Sequence, residues 1–161
     1  MSELLVRRAT PADAALVRAS TRRAYAKWVA VVGREPRPMT ADYERAVTEH
    51  LIDLAEIEGR HAGLIEMKPE ADHLLIVNVA VEPERQGQGL GSRLLAHAED
   101  VARRHGLPEL RLYTNGAMAS NIALYRRRGY REDRREVTGP LGVAVYMSKR
   151  LATPPCPTSR K

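Results

Sequence analysis

The 161-residue sequence contains no phenylalanine, one tryptophan and one cysteine. With six tyrosines as the other aromatic residues, little is available for stacking on nucleic-acid bases. The single cysteine, Cys156, lies in a proline-rich tail, which excludes a disulfide framework and a cysteine-based zinc site. No apolar run approaches the ~20 residues that a membrane-spanning helix needs. The composition therefore points to a core of aliphatic side chains.

The amino terminus also lacks the pattern of a secretory signal, because residues 1–8 contain no basic segment leading into a long apolar one. Apolar residues make up 43% of the sequence, which predicts one folded domain over residues 1–151. Residues 152–161 are rich in proline, threonine and serine and predict a disordered tail. We expect a cytoplasmic protein with no membrane partner.

The formal net charge of +6 raises the question of an anionic partner. Nearly all basic residues are arginines, and they are interleaved with acids, as in residues 131–136. This scatter favours a generally basic surface over a nucleic-acid-binding face. We therefore expect no specific nucleic-acid partner, although a basic nucleic-acid-binding domain stays an alternative.

The hydrophobic pattern predicts an α+β fold with helices packed on a mixed sheet. Thr10, Pro11 and Asp13 have the pattern of a helix start, and Thr40 is expected to cap a second helix. Later helices are expected to end at His105-Gly106 and, after residues 120–128, at Gly129. The predicted strands are residues 3–8, 51–57, 61–68, 74–81, 110–114, 131–138 and 142–149.

A glycine-rich segment follows the predicted strand 74–81, with Gly87, Gly89 and Gly91 directly before a helix. Glycine allows the backbone to approach a ligand closely, and a helix start adds free N–H donors and partial positive charge. Together these features predict an anion site for a phosphate or pyrophosphate. The alternative is a tight strand-to-helix turn that needs glycine only for its geometry.

Two common phosphate-binding motifs do not fit this segment. A P-loop closes with Gly-Lys-Ser/Thr, whereas Gly91-Ser92-Arg93 lacks the lysine. A dinucleotide-binding fingerprint needs a third glycine three residues after the second, and Ser92 stands there.

The pattern Gln86-x-x-Gly89-x-Gly91 instead resembles the acetyl-CoA signature, Q/R-x-x-G-x-G/A, of the GCN5-related N-acetyltransferases (GNAT family). Residues 121–130 resemble the family's N-x-x-x-Y-x-x-x-G-F/Y segment. The resemblance covers roughly residues 3–150 in element order and is specific over 74–130. It implies a mixed, mostly antiparallel sheet of about seven strands with helices on both faces.

The resemblance also implies transfer of acetyl from acetyl-CoA, the cosubstrate, to a primary amine of a small molecule or peptide, without a metal. The implied acetyl-CoA-binding residues are Val79, Ala80 and Val81 for the pantetheine arm, Gln86, Gly87, Gln88, Gly89, Leu90, Gly91 and Ser92 for the pyrophosphate, and Asn121 for the pantetheine. Asn121 is equally compatible with an ordinary helix residue, and Arg85 with either a phosphate contact or a solvated side chain. A homodimer is typical of the family.

Tyr125 is the candidate catalytic residue. Attack of an amine on a thioester expels a thiolate, to which a nearby phenol can donate a proton. With ordinary pKa values of ~10 for tyrosine and ~8.5 for a thiol, complete transfer is uphill by about 2 kcal/mol, and a modest pKa shift would allow it. The alternative is a tyrosine that only packs in the core.

The sequence identifies neither the general base nor the acceptor. Strand 74–81 contains no acid, and Glu66, Asp72, His73 and Glu82 are more typical of surface residues, so an ordered water chain is equally compatible. Candidates for the lining of an acceptor pocket come from the N-terminal helices: Tyr25, Trp28, Met39, Asp42 and Tyr43. The helical spacing of Tyr25 and Trp28 is more typical of core packing. A domain that binds acyl-CoA without catalysis is the second reading of the chain, and use of other acyl-CoAs stays open.

Overall fold

The computed structural model describes residues 3–139 and 142–152. A seven-stranded sheet runs through it in the order β1-β2-β3-β4-β5-β7-β6. Every neighbouring pair is antiparallel except β4 and β5, which are parallel. The strands are β1 Leu4–Arg8, β2 Leu51–Ile57, β3 Arg60–Pro69, β4 Leu74–Val81, β5 Glu109–Asn115, β6 Arg131–Gly139 and β7 Gly142–Arg150. The predicted mixed, mostly antiparallel sheet is confirmed.

Helices cover both faces of the sheet, as predicted. They are α1 Ala14–Tyr25, α2 Val29–Val32, α3 Tyr43–Glu49, α4 Leu90–Arg104 and α5 Ala119–Arg127. One core contains Leu94 and Leu95 of α4 and Ile122 of α5. The other core contains Val17 of α1 and Tyr43 of α3. The sheet therefore separates two apolar layers, and both layers reach β4.

The N-terminal helices begin and end differently from the prediction in two places. Thr10 and Asp13 form the expected capping box, but the helix is interrupted after Tyr25 by a 3₁₀ turn, and α2 follows it. Thr40 ends a short 3₁₀ turn, and the side chain of Asp42 caps α3 by accepting a hydrogen bond from the Arg45 amide. The prediction of Thr40 as cap is wrong because Asp42, two residues later, supplies the carboxylate acceptor that the free amide needs.

An irregularity in β4 determines which of its side chains face each core. Met67 of β3 pairs with Ile76, and the adjacent Glu66 pairs with Asn78, so Val77 is an extra residue in β4. Such a bulge reverses the alternation of side chains beyond it. Ile76 consequently lies in the α4–α5 core, whereas Asn78 faces α1 and α3.

The parallel pairing of β4 with β5 is short. It joins only Leu74 to Leu110, Leu75 to Arg111 and Ile76 to Leu112. Beyond Ile76, β4 continues to pair with β3 but no longer with β5. The sheet therefore opens at its centre, along the second half of β4.

The ends of two predictions lie outside the described residues. Gly139 and Pro140 are expected to separate the last two predicted strands, and Pro140 belongs to the undescribed pair 140–141. All of the predicted tail except Ala152 lies beyond residue 152. Among the described helices, none is long and apolar enough to span a bilayer.

Candidate functional site

The opening between β4 and β5 exposes backbone polar groups of β4. The Glu82 amide donates to Ala62 of β3, so the alternation of a strand turns the N–H and C=O groups of Val79 and Val81 away from β3, toward the opening. The Tyr25 hydroxyl donates to the Val79 carbonyl over 3.3 Å, and the Gln86 side-chain amide donates to the Val81 carbonyl over 3.0 Å. The N–H groups of Val79 and Val81 are thus left as donors along the opening. The backbone N–H and C=O of Ala80, by contrast, are directed toward β3.

The glycine-rich segment forms a loop that ends in α4. Gly87 and Gly89 have φ values of 77° and 83°, which favour glycine because other residues are strained there. A Cβ added to either one would have no atom within 4 Å, so both face open space. The first helical bond runs from the Arg93 amide to the Gly89 carbonyl. The amides of Leu90, Gly91 and Ser92 therefore lack partners in the helix and form a potential anion site.

Two glutamines hold this loop in place. The Gln86 side chain bridges the Val81 carbonyl and Lys27, whose Nζ donates to Oε1 over 2.7 Å. The Gln88 side chain donates to the Glu84 carbonyl over 3.1 Å. The side chains of both glutamines thus position the loop.

Gly91 is needed for packing as well as for its free amide. A Cβ at this position would lie 3.0 Å from Leu124 of α5. Glycine at position 91 therefore permits close packing of α4 against α5.

A cleft of about 690 Å³ lies on the α1–α3 side of the opening. Tyr125 lines it from α5, together with Val79 of β4. Burial raises the pKa of Tyr125 to about 12, so the phenol stays protonated at neutral pH. Its hydroxyl has no hydrogen-bond partner among the described residues. Tyr125 is thus a neutral donor facing the cleft. Asn121, one turn earlier in α5, donates to the Met118 sulfur over 3.7 Å.

The buried carboxylate in the cleft belongs to Glu66 of β3. It is only 4% exposed, and its Oε2 lies 2.6 Å from Nδ1 of His50, at the end of α3. Burial raises the pKa of Glu66, partly opposed by the contact with His50. A raised pKa brings a carboxylate closer to the range of a general base near neutral pH. The expectation that Glu66 is a surface residue is wrong, because β2, β4 and α3 enclose it.

The other three acids and bases near β4 lie elsewhere. Glu82 is also buried, contrary to expectation, but it accepts two hydrogen bonds from Arg23 of α1, at 2.9 and 2.6 Å. Burial acts to raise the pKa of Glu82, but the hydrogen bonds and charge of Arg23, together with a hydrogen bond from Ser20, lower it overall. Asp72 is exposed and pairs with His73 over 2.7 Å outside the cleft.

The predicted acceptor residues divide into two groups. Tyr25, Asp42 and Tyr43 line the cleft, and the rings of the two tyrosines also belong to the α1–α3 core. Met39 lies in the same core without lining the cleft, and Trp28 packs half-buried against it, with Lys27 over its ring. For Met39 and Trp28 the structure therefore favours the core alternative, since both pack in the α1–α3 core and neither lines the cleft. Sequence reasoning missed His50, which carries no local signal, and Asn78, which the polar break in an apolar strand does signal.

No cluster of three metal-ligating side chains exists among residues 3–139 and 142–152. The groups that the cleft does present are a protonated phenol, a buried carboxylate and strand amides, next to a helix start with free N–H groups. These are the groups that an acyl transfer between an anionic, thioester-bearing donor and an amine requires.

Comparison with known proteins identifies the relatives of the chain. It is 33% identical to the mycothiol acetyltransferase of Clavibacter michiganensis subsp. michiganensis over 118 residues, 65% of this chain and 39% of that protein. It is 35% identical to the [ribosomal protein bS18]-alanine N-acetyltransferase of Escherichia coli K12 over 74 residues, 46% of this chain and 50% of that protein. The chain thus matches half or less of the length of these two relatives.

The fold agrees with a solved structure, the PaiA N-acetyltransferase of Thermoplasma acidophilum in complex with coenzyme A. The TM-score is 0.78 at 19% identity, with 92% of this chain and 99% of that chain covered. The profile described as "Acetyltransferase (GNAT) family" matches residues 17–130, from α1 to the end of the Tyr125 segment. These findings confirm the resemblance seen in the sequence, and the chain belongs to the GNAT acetyltransferase family.

Proposed function

We propose that the protein is an acetyl-CoA-dependent N-acetyltransferase in which a primary amine attacks the thioester directly. The single observation that carries this proposal is the opening of the sheet beside β4, where Tyr125 and Glu66 line the same cleft. Membership in an acetyltransferase family supports the same reaction. When bound, acetyl-CoA supplies an acetyl thioester whose carbonyl carbon accepts the amine and whose sulfur leaves as a thiolate.

The residues of the chain fit such a donor in three places. The amides of Leu90, Gly91 and Ser92 have the direction and number to hold a pyrophosphate. The amides of Val79 and Val81 pair with an extended pantetheine arm as an added strand would. One of these two amides also donates to the thioester oxygen as negative charge develops on it.

Glu66 accepts a proton from the acceptor ammonium, directly or through a water molecule, so that the amine becomes a nucleophile. Its contact with His50 fixes the orientation of the carboxylate and leaves the second oxygen, Oε1, for this role. Of the four acids and bases considered from the sequence, Glu66 is the one that lines the cleft. We therefore assign it as the general base.

Tyr125 donates a hydrogen bond to the leaving sulfur. With a pKa of about 12 for the phenol and ~8.5 for a thiol, complete proton transfer is uphill by about 5 kcal/mol. The burial that raises this pKa also strengthens a hydrogen bond to a developing thiolate. The role of Tyr125 is therefore stabilisation of the thiolate, and the final proton comes from solvent.

Release of free thiol from acetyl-CoA, measured with a panel of primary amines, tests the proposal. We expect amine-dependent thiol release and a rise in melting temperature with acetyl-CoA. A rise in melting temperature with no thiol release for any amine would contradict acetyl transfer and support the non-catalytic acyl-CoA-binding reading. No response to acetyl-CoA in either measurement would contradict both. Cytoplasmic localisation and homodimerisation stay predictions.

A further inference from the structure

The cleft has hydrogen-bond acceptors at its inner end that are suited to an ammonium group. Glu66 is one, and the side chain of Asn78 is the second. The Asn78 amide nitrogen donates to Thr21 over 3.1 Å and weakly to the Tyr43 hydroxyl over 3.4 Å, whereas its Oδ1 is buried without a partner. A buried acceptor without a partner is costly unless a ligand supplies a donor. The inner end is thus arranged to receive N–H groups.

The outer end of the cleft has the opposite character. Arg34 and Arg37, in the segment between α2 and α3, line it, are exposed and have no acidic partner among residues 3–139 and 142–152. The neighbouring arginines of α1 do pair, as Arg22 does with Glu35 over 2.8 Å. Two guanidinium groups therefore remain for a ligand at the mouth of the cleft.

Arg34 also reaches across the cleft mouth. Its Nη2 lies 3.5 Å from the position that a Cβ on Gly142 would occupy, at the start of β7. The guanidinium therefore extends from the α2–α3 segment to the start of β7. A ligand entering between these two elements passes directly beside it.

The carboxylates at the mouth do not cancel this charge. Glu49 pairs with Arg45 over 2.7 Å, so the two neutralise each other. Asp42 accepts from the Arg45 amide at the start of α3, which leaves it facing a helix N-terminus. Within the described part of the chain, the charges that remain unpaired at the mouth are therefore the two guanidinium groups of Arg34 and Arg37 and the single carboxylate of Asp42.

We propose that the acceptor carries an anionic group as well as its amine: the amine binds at Glu66 and Asn78, and the anion binds at Arg34 and Arg37. This inference rests on the proposed function and specifies its substrate class. Guanidinium groups bind both carboxylate and phosphate in bidentate geometry, so the anion is one of these two.

A ladder of straight-chain amines with two to eight methylene groups tests the proposal. Each length is measured as the ω-amino carboxylic acid, the ω-aminoalkyl phosphate, the neutral ω-amino carboxamide and the plain alkylamine. We expect kcat/KM for one anionic series to exceed that of its neutral counterpart at least tenfold at a preferred length. Because the distance between the two ends of the cleft is fixed, the preference should fall for shorter chains.

The double variant Arg34→Gln/Arg37→Gln identifies the cause of any preference. We expect kcat/KM for the preferred anionic amine to fall by about 10- to 100-fold, mainly through KM, while the neutral carboxamide changes less than about twofold. Arg60→Gln is the matched control, because Arg60 is exposed, has no ion pair among the described residues and lies outside the cleft. It should leave both substrates unaffected.

Three results would overturn the inference. If the neutral amines are used as well as or better than the anionic ones at every length, the proposal that the acceptor carries an anionic group is contradicted, although acetyl transfer itself would stand. A preference for anions that survives in the double variant, or that Arg60→Gln also removes, would show that Arg34 and Arg37 do not cause it. If acetyl-CoA binds but no amine of any series causes thiol release, both the proposed function and this inference are contradicted.

Discussion

The rings of Tyr125 and Tyr130 pack with their centroids 6.0 Å apart, yet only Tyr125 lines the cleft. The Tyr130 hydroxyl is buried without a partner on the other side of this contact. Burial raises the pKa of both phenols. The pair thus offers two tyrosines of similar burial, of which one has access to the reaction.

Tyr125→Phe keeps the ring and removes the donor to the leaving sulfur. We expect kcat to fall by about 10²- to 10³-fold with little change in melting temperature or acetyl-CoA affinity, measured by thiol release, thermal unfolding and calorimetry. Because a thiolate is already a fair leaving group, the lower end of this range is expected.

Tyr130→Phe is the control for that variant. It removes an unsatisfied buried hydroxyl, so the free energy of unfolding should rise by about 1 kcal/mol while kcat stays unchanged. Full activity of Tyr125→Phe on the true acceptor would remove this residue from the mechanism.

Glu66→Gln should reduce kcat/KM by about 10²- to 10⁴-fold, because glutamine cannot accept the ammonium proton. In the wild-type protein, kcat/KM should increase as pH rises through the raised pKa of Glu66. The variant should lose this dependence, which pH profiles of both proteins would reveal. An unchanged profile would assign the base to a water chain instead.

The same substitution has an effect on stability with a definite sign. The pKa of Glu66 is raised in the folded state, so folding binds its proton more tightly and stability falls as pH rises through that pKa. At neutral pH Glu66→Gln should therefore have a larger free energy of unfolding than the wild type. The difference should shrink below the ordinary glutamate pKa, as urea titrations at several pH values would show.

Glu82→Gln should change the free energy of unfolding in the opposite direction, although Glu82 is as buried as Glu66. The pKa of Glu82 is lowered, so its contribution is present above the unfolded pKa and is lost as pH falls through the folded one. Loss of the charged partner of Arg23 should decrease the free energy of unfolding at neutral pH by about 1–3 kcal/mol. A decrease for both variants would contradict the assignment of Glu66.

Gly89→Val tests the anion site against backbone strain. Its matched control is Gly106→Val just beyond α4, since Gly106 has φ +67° and open space around it, much like Gly89 at φ +83°. Both should lose about 1–2 kcal/mol of stability from the left-handed backbone. Only Gly89→Val should reduce acetyl-CoA affinity, by at least tenfold in calorimetry; equal affinities would refute the site.

Gly91→Val is expected to act by a different route. Its side chain would press on Leu124, whose Cδ2 lies 3.0 Å from the new Cβ. Overpacking of this kind costs about 1–3 kcal/mol. Loss of acetyl-CoA binding by this variant should therefore come with a lower melting temperature, which distinguishes it from Gly89→Val.

The net charge of +6 gives one further prediction. Duplex DNA should bind weakly, without sequence preference, and with an affinity that collapses as salt rises, as fluorescence anisotropy would record. Tight binding of one sequence near physiological salt would favour the nucleic-acid-binding alternative.

The sequence predicts the parts of the site that are contiguous in the chain. The loop at Gly87 and Gly89, the start of α4 and the Tyr125 segment each carry their own spacing, so local pattern suffices for them. The general base is different, because His50 and Glu66 meet only through the pairing of β2 with β3 and the position of α3. No local pattern encodes that contact.

The bulge at Val77 determines the face of β4 on which Asn78 lies, which the sequence does not predict. Strict alternation along β4 would put Ile76 and Asn78 on the same face. One extra residue instead turns Asn78 toward α1 and α3. A single-residue register change of this kind depends on the partner strand, which a sequence read segment by segment does not contain.

The short pairing of β4 with β5 makes the middle of the sheet its least protected backbone. Amides in the centre of a sheet normally exchange their hydrogens with deuterated solvent slowly, and those at the edges exchange faster. Here the Val79 and Val81 amides face no neighbouring strand, whereas the Ala80 amide faces β3. Exchange along β4 should therefore alternate between fast and slow from one residue to the next, and pantetheine binding should abolish the alternation.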